Sequence, residues 1–227
     1  MSPCNVAVVL AAGKGSRMKS DVPKQYLLLE GKPLICHCLD VFEQSRVIDR
    51  VILVAGTNET SYMKEAIVEQ YGYQKVVALI EGGSERYHSV ANALEYIAQQ
   101  NMDCNYVYIH DGARPYIEEE LLERLQASVL SEKACIAAVP VKDTIKIVGT
   151  DGRITETPKR SALWAAQTPQ VFEFELIYDA YHRMIAEDQT EGITDDAQVM
   201  ERMCGRGPVI VEGSYRNIKI TTPEDIR

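Results

Sequence analysis

No stretch of this sequence approaches the roughly 20 apolar residues that a membrane-spanning helix needs, so no membrane partner is expected. Positive charge is also short: 24 Lys and Arg face 33 Asp and Glu, for a formal net charge of −9. Nucleic acid and membrane surfaces are themselves anionic, which makes both poor partners for such a chain. An anion, if bound, must be held by a local cluster of Lys, Arg and backbone N–H groups. Cys-x-x-Cys pairs are missing among the six cysteines at 4, 36, 38, 104, 135 and 204. That argues against a zinc site or a disulfide framework, and for reduced, mostly buried thiols in a cytoplasmic protein. Internal repeats, low-complexity tracts and clear linkers are absent as well. With 227 residues and a hydrophobic fraction of 46%, one α/β domain spanning residues 1–227 is the expectation.

What is present is alternation. Residues 6–10, 51–54, 76–80, 106–109 and 136–139 are short runs rich in Val and Ile, too short for helices, and they read as buried strands. The first of these has no basic residues before it and leads straight into Gly13-Lys14-Gly15, so it is a strand rather than a signal peptide. Between the strands, residues 34–42, 61–71, 85–99 and 118–129 carry helical periodicity. Strand–helix alternation of this kind predicts a doubly wound α/β fold, a mostly parallel sheet with helices on both faces. Ligands of such sheets bind beyond the carboxyl ends of the strands. Residues 143–161 break the pattern. They alternate at period two around Asp151-Gly152, a tight-turn pair, and hold too few large apolar residues for two buried faces. This predicts a projecting β-arm over about residues 142–162, and an isolated hairpin needs a partner surface to be stable.

The first strand ends in Leu10-Ala11-Ala12-Gly13-Lys14-Gly15-Ser16-Arg17-Met18, with Pro23-Lys24-Gln25 close behind. Small residues let backbone N–H groups approach phosphate oxygens, and Arg17 and Lys24 add charge suited to a polyphosphate. Two better-known phosphate motifs fail here. A dinucleotide fingerprint needs glycine where Met18 stands, and a Walker loop needs glycine at Val8 and serine or threonine at Gly15.

Further blocks follow in order: Gly82-Gly83-Ser84-Glu85-Arg86-Tyr87-His88-Ser89, His110-Asp111-Gly112-Ala113-Arg114-Pro115, Pro140-Val141-Lys142-Asp143-Thr144, Gln167-Thr168-Pro169-Gln170, Thr194-Asp195-Asp196 and Asn217-Ile218-Lys219-Ile220-Thr221. Together with the loop they resemble, over nearly the whole chain, the 2-C-methyl-D-erythritol 4-phosphate cytidylyltransferase family. Locally, residues 217–221 look like an edge strand with one outward Lys. The resemblance implies that Lys219 points into the site opposite Asp111.

It also implies a Rossmann-like nucleotidyltransferase fold and a homodimer joined through the β-arm. The reaction it implies takes CTP and an alditol phosphate to a CDP-linked alditol and pyrophosphate. Ala11, Ala12, Gly13, Gly15, Gly83, Ser84, Ser89 and Gly112 would bind CTP. Ser84 stands where many relatives carry an acidic residue, a change without consequence if the contact is made by backbone. Arg17, Lys24 and Lys219 would be catalytic, neutralising the crowded α-phosphate. Asp111 would hold Mg²⁺, a cation that typically takes only one or two protein carboxylates plus phosphates. Asp111, Arg114, Thr144, Arg160 and Thr168 would serve the acceptor, with Thr144 and Arg160 reaching into the neighbouring subunit's site. No histidine is needed as a base, because the attacking phosphate is already ionised at neutral pH.

Ribitol-5-phosphate cytidylyltransferases share the loop, the His-Asp block and the arm. Leu163-Trp164-Ala165 ahead of Gln167, and Ser89 in place of Thr, resemble the methylerythritol family more. A non-catalytic nucleotide-binding protein would be expected to lack Lys24, Asp111 or Lys219, and all three are present.

Overall fold

A computed structural model describes residues 3–13, 18 and 22–226. Its strands are β1 (Asn5–Leu10), β2 (Leu28–Leu29), β3 (Lys32–Pro33), β4 (Arg50–Ala55), β5 (Val76–Glu81), β6 (Tyr106–Asp111), β7 (Ala134–Pro140), β8 (Ile147–Val148), β9 (Ile154–Glu156), β10 (Trp164–Glu173) and β11 (Val209–Glu212). Its helices are α1 (Leu34–Gln44), α2 (Thr60–Met63, continued as a π-helix over Lys64–Glu69), α3 (Arg86–Gln99), α4 (Glu119–Glu132), α5 (Phe174–Ala186) and α6 (Asp196–Cys204).

Seven strands form one sheet in the order β11-β7-β10-β6-β1-β4-β5. All neighbours pair parallel except β10, which runs antiparallel to both β6 and β7. The central strands are buried on both faces, which is why the sequence shows them as continuous apolar runs. Along β1 the faces alternate: Ala7 and Val9 pack with α1, α2 and α4, while Val6 and Val8 pack with α3, α5 and α6. This is the doubly wound, mostly parallel fold.

Topology places the site. From β1 the chain runs outward through β4 and β5, then returns to β6 on the other side of β1. The strand order therefore reverses between β1 and β6, whose last residues, Leu10 and Asp111, are register partners. A crevice opens at such a reversal, beyond the carboxyl ends of the strands.

Two segments need comment. Residues between β7 and β10 carry the short antiparallel pair β8–β9, closed by a turn in which Gly149 N–H donates to the Arg153 carbonyl at 2.9 Å and Gly152 takes φ +79°. Ile147, Val148 and Ile154 on this hairpin are 45–60% exposed, so the pair has no core of its own. The expectation of an edge strand over residues 217–221 is not met. That stretch is irregular because its polar groups go to the site instead: Ile220 N–H donates to the Ala113 carbonyl at 2.9 Å. The sheet edge there is β11, half-exposed and parallel to β7.

Candidate active site

The crevice is a cleft of about 800 Å³. One wall is the stretch after β1, and Ala11, Ala12 and Gly13 line it. Ala11 N–H is tied to the Val54 carbonyl at 2.8 Å, which fixes the start of that stretch. Gly15 and Arg17, the other two loop residues expected here, lie outside the described residues.

A second wall is the β5–α3 connection, where Gly82, Gly83, Ser84 and Ser89 line the cleft. This turn is folded tightly onto the first turn of α3. Gly83 N–H donates to Ser89 Oγ at 3.0 Å, and Ser89 Oγ donates to the Glu85 carbonyl at 3.3 Å. A Cβ on Gly83 would fall 2.3 Å from His88 Cβ, and one on Gly82 would fall 2.5 Å from Ala12 Cβ, so only glycine fits. The floor is Gly112, where an added Cβ would meet Ile35 Cδ1 at 2.4 Å and the Leu10 carbonyl at 3.0 Å.

Asp111, the last residue of β6, is the chemical centre. Its Oδ2 lies 2.8 Å from Lys219 Nζ, and its Oδ1 lies 3.5 Å from Arg86 Nε. Arg114 Nε, 3.8 Å from Oδ2, is buried with no hydrogen-bond partner among the described residues. Burial alone would raise the carboxyl's pKa, but Arg86, Lys219 and Arg114 hold it well below the ordinary carboxylate range. Asp111 is therefore an anion at any physiological pH.

The backbone beneath it is locked by a chain of hydrogen bonds. Asp111 N–H donates to Thr168 Oγ1, the Thr168 hydroxyl donates to His110 Nδ1, and His110 Nε2 donates to the Arg114 carbonyl, at 3.0, 3.0 and 3.1 Å. A ring nitrogen facing a carbonyl must carry the proton, so His110 is the neutral Nε2–H tautomer. Burial agrees, pushing its pKa down to about 4. Thr168 is 4% exposed and spends its hydroxyl on this chain. It therefore lies under the cleft floor rather than at its surface, where the acceptor expectation had put it.

The segment carrying Lys219 is held to the same scaffold. Arg114 Nη1 donates to the Asn217 carbonyl and Asn217 Nδ2 donates to the Thr168 carbonyl, both at 2.8 Å. Lys24, in the 3₁₀ turn Lys24–Tyr26, lines the cleft and donates from Nζ to the Ile220 carbonyl at 2.9 Å. Lys24, Asp111, Lys219, Gly83, Ser84, Ser89 and Gly112 thus come together as expected. Thr144 and Arg160 do not join them. Both sit in the hairpin segment, and Arg160 Nη1 donates to the Lys142 carbonyl at 3.0 Å.

Four residues were not singled out as site residues from sequence. Glu59 lines the cleft and accepts Gln25 Nε2 at 2.9 Å and the Tyr26 hydroxyl at 3.0 Å on one oxygen, which anchors the Lys24 turn. Gln25 itself was visible only as part of the Pro-Lys-Gln string. Arg86 lines the cleft while its terminal nitrogens grip Asp196, which is fully buried. The adjacent pair Asp195-Asp196 was visible as a block, but nothing local showed that its second member faces inward. Among the described residues no group of three or more His, Cys, Asp or Glu side chains could hold a metal. A single carboxylate does suit a cation that arrives with phosphates.

A family model described as "IspD: 2-C-methyl-D-erythritol 4-phosphate cytidylyltransferase" matches residues 5–227. A protein of that name from Alkaliphilus oremlandii is 48% identical over 219 residues, covering 96% of this chain and 90% of its own. One from Lachnoclostridium phytofermentans is 48% identical over 221 residues, covering 97% and 92%. Among solved structures, a 4-diphosphocytidyl-2C-methyl-D-erythritol synthase from Anaerococcus prevotii superposes with a TM-score of 0.84 at 32% identity, covering 99% of this chain and 95% of that one. The Francisella tularensis cytidylyltransferase gives 0.81 at 30% identity, covering 98% and 96%.

Proposed function

The chain belongs to the 2-C-methyl-D-erythritol 4-phosphate cytidylyltransferase family, and from that membership we propose how its cleft performs the reaction. The enzyme transfers the cytidylyl group of CTP to 2-C-methyl-D-erythritol 4-phosphate, releasing pyrophosphate, in isoprenoid precursor biosynthesis. The ribitol-5-phosphate alternative is not favoured, since the relatives carry the methylerythritol name.

The acceptor phosphate attacks the α-phosphorus in line, and no covalent enzyme intermediate is needed. Catalysis then rests on positioning and charge neutralisation. The observation that carries this reading is the convergence of Lys24, Lys219 and Asp111 at the β1/β6 reversal, opposite a glycine-built turn. The turn at residues 82–89 would offer fixed polar groups to the cytosine edge. Ala11, Ala12, Gly13, Gly15 and Gly112 would let the backbone approach the nucleotide. Arg17, Lys24 and Lys219 would stabilise the crowded α-phosphate and the leaving pyrophosphate. Asp111 would hold Mg²⁺, which when bound adds positive charge beside the triphosphate. Arg114 would serve the acceptor, and Thr168 would act from below by fixing Asp111.

We read the chain as one cytoplasmic nucleotidyltransferase domain whose arm, about residues 142–162, packs on a second copy. Two facts support this: neither Thr144 nor Arg160 lines the cleft of its own chain, and the hairpin exposes Ile147, Val148 and Ile154. Thr144 and Arg160 would then bind the acceptor in the neighbouring site. The test of the functional reading is pyrophosphate release from CTP and Mg²⁺ with each alditol phosphate side by side. Turnover with ribitol 5-phosphate equal to that with the methylerythritol substrate would overturn the acceptor assignment.

A further inference from the structure

We propose that Asp196, which reaches no substrate, is a positioning residue for nucleobase choice: its buried ion pair with Arg86 fixes the cytosine-reading turn and Asp111 together. This rests on the reading that residues 82–89 recognise the base.

Asp196 is 0% exposed and opens α6. Its place is over-determined. Its own N–H and that of Ala197 both donate to Gln170 Oε1, at 3.0 and 2.9 Å, and Gln170 Nε2 donates to Asp195 Oδ2 at 2.9 Å. The start of α6 is therefore riveted to β10, two residues past Thr168, which supports Asp111. On the carboxylate, Oδ1 accepts the Tyr181 hydroxyl at 2.6 Å and Arg86 Nη1 at 2.9 Å, and Oδ2 accepts Arg86 Nη2 at 2.7 Å. A two-pronged pair of this kind sets the plane of the guanidinium as well as its position.

Arg86 is the first residue of α3. The glycine turn before it cannot move independently, because Gly83 is bonded to Ser89 and packed against His88. Orienting Arg86 therefore orients the turn. Both terminal nitrogens bond Asp196, and Nε faces Asp111 Oδ1 at 3.5 Å. Arg86 is in this geometry a strut between two walls. A buried carboxylate with one cationic partner also makes the strut all-or-none, since losing either member leaves an uncompensated charge.

The experiment measures kcat/KM for CTP and for UTP, with thermal melts, in wild type, Asp196→Asn, Arg86→Lys and Tyr181→Phe. Asp196→Asn and Arg86→Lys should each lower the CTP-to-UTP ratio by about tenfold or more. Tyr181→Phe keeps the two-pronged pair and should keep the ratio within about threefold. If Asp196→Asn does not fold, Arg86→Lys carries the test, since it keeps the charge and removes only the fork. An unchanged ratio alongside a lowered melting temperature would overturn the proposal by making the pair merely structural. So would an equal loss of the ratio in Tyr181→Phe. A wild-type enzyme that turns over UTP as well as CTP would instead overturn the underlying base-reading assignment, before any variant is made.

Discussion

Lys219 offers the sharpest separation of catalysis from stability. Its Nζ is 2.8 Å from Asp111 Oδ2, with side-chain exposures of 41% and 11%. At that distance the bare Coulomb term is about 6 kcal/mol at an effective dielectric of about 20, and about 1.5 kcal/mol in water. The lysine is more than a third exposed, so the lower figure is the better guide. Asp111 also keeps Arg86 at 3.5 Å and Arg114 at 3.8 Å when Lys219 is gone, so its charge is not orphaned. Lys219→Met should therefore cost about 1 kcal/mol of stability, a melting shift of about 2–4 °C for a chain of this size. The catalytic loss should be far larger. Removing one preorganised charge-stabilising group typically lowers kcat about 10²- to 10³-fold, or about 3–4 kcal/mol. Because that stabilisation is felt mainly as charge accumulates at the α-phosphorus, kcat and kcat/KM should fall together. The assay is continuous pyrophosphate release at varied CTP and alditol phosphate, paired with a melt of the same preparation. A variant with kcat within threefold of wild type, or one that only raises KM for CTP, would refute the reasoning.

Gly112→Ala should destabilise the fold by about 1–3 kcal/mol and distort the cleft floor, because its Cβ would sit 2.4 Å from Ile35 Cδ1 and 3.0 Å from the Leu10 carbonyl; urea titration checks this, and an unchanged midpoint would contradict it. At pH 8 a thiol reagent should modify the folded protein first at exposed Cys204, while burial pushes Cys36 up to about 11 and Cys135 up to about 12, leaving both protonated and shielded; peptide mapping that finds Cys36 or Cys135 modified as fast as Cys204 would count against it. For the arm, Arg160→Ala subunits and Lys24→Ala subunits should each be nearly inactive. Mixed with random exchange they should recover about a quarter of wild-type activity, because half the dimers are mixed and one of their two sites keeps both residues. A monomer by sedimentation, or no recovery despite verified exchange, would return Arg160 to an ordinary surface charge.

What was legible in the sequence follows burial. The five Val- and Ile-rich runs matched β1, β4, β5, β6 and β7 to within about two residues; four of these are inner strands buried on both faces, which need continuous apolar residues, and β5 is an apolar edge strand. β10 was not legible because it carries Gln167, Thr168 and Gln170, all buried, whose polar groups are satisfied only by distant partners such as Ser214, His110 and Ala197. β11 was missed because an edge strand with exposed Val209 and Ile210 shows no core signal. Residues 217–221 misled for the converse reason: Ile218, Ile220 and their polar neighbours alternate like a strand, yet Asn217 is spent on Thr168 and Ile220 on Ala113. In the site, the glycines and Lys24, Asp111 and Lys219 were legible through motif resemblance. Glu59, Arg86 and Asp196 act through contacts 15 to 110 residues away, and no local pattern signals those.

Charge shows how an acidic protein can take a polyanionic substrate. Among the described residues lining the cleft, the cations Lys24, Arg86 and Lys219 are matched by the carboxylates Glu59, Glu85 and Asp111, so the formal balance is zero. These cations are also engaged within the protein: Lys219 with Asp111, Arg86 with Asp196, and Lys24 with the Ile220 carbonyl. Such a lining orients a nucleotide but does little to neutralise a triphosphate. The missing charge must come from elements beyond it. The loop after β1 brings Lys14 and Arg17 in the sequence, and a divalent cation would relieve Asp111 of its partners and return Lys219 to the phosphates. The resulting expectation is steep: affinity for CTP should depend strongly on both Mg²⁺ and Arg17, with the nucleotide and the metal binding cooperatively because each supplies the charge the other needs. Calorimetry can measure CTP affinity with and without Mg²⁺ in wild type and Arg17→Ala. Equal affinity in all four combinations would show that the three cations of the cleft suffice, and that their pairing with carboxylates has no bearing on how the substrate is held.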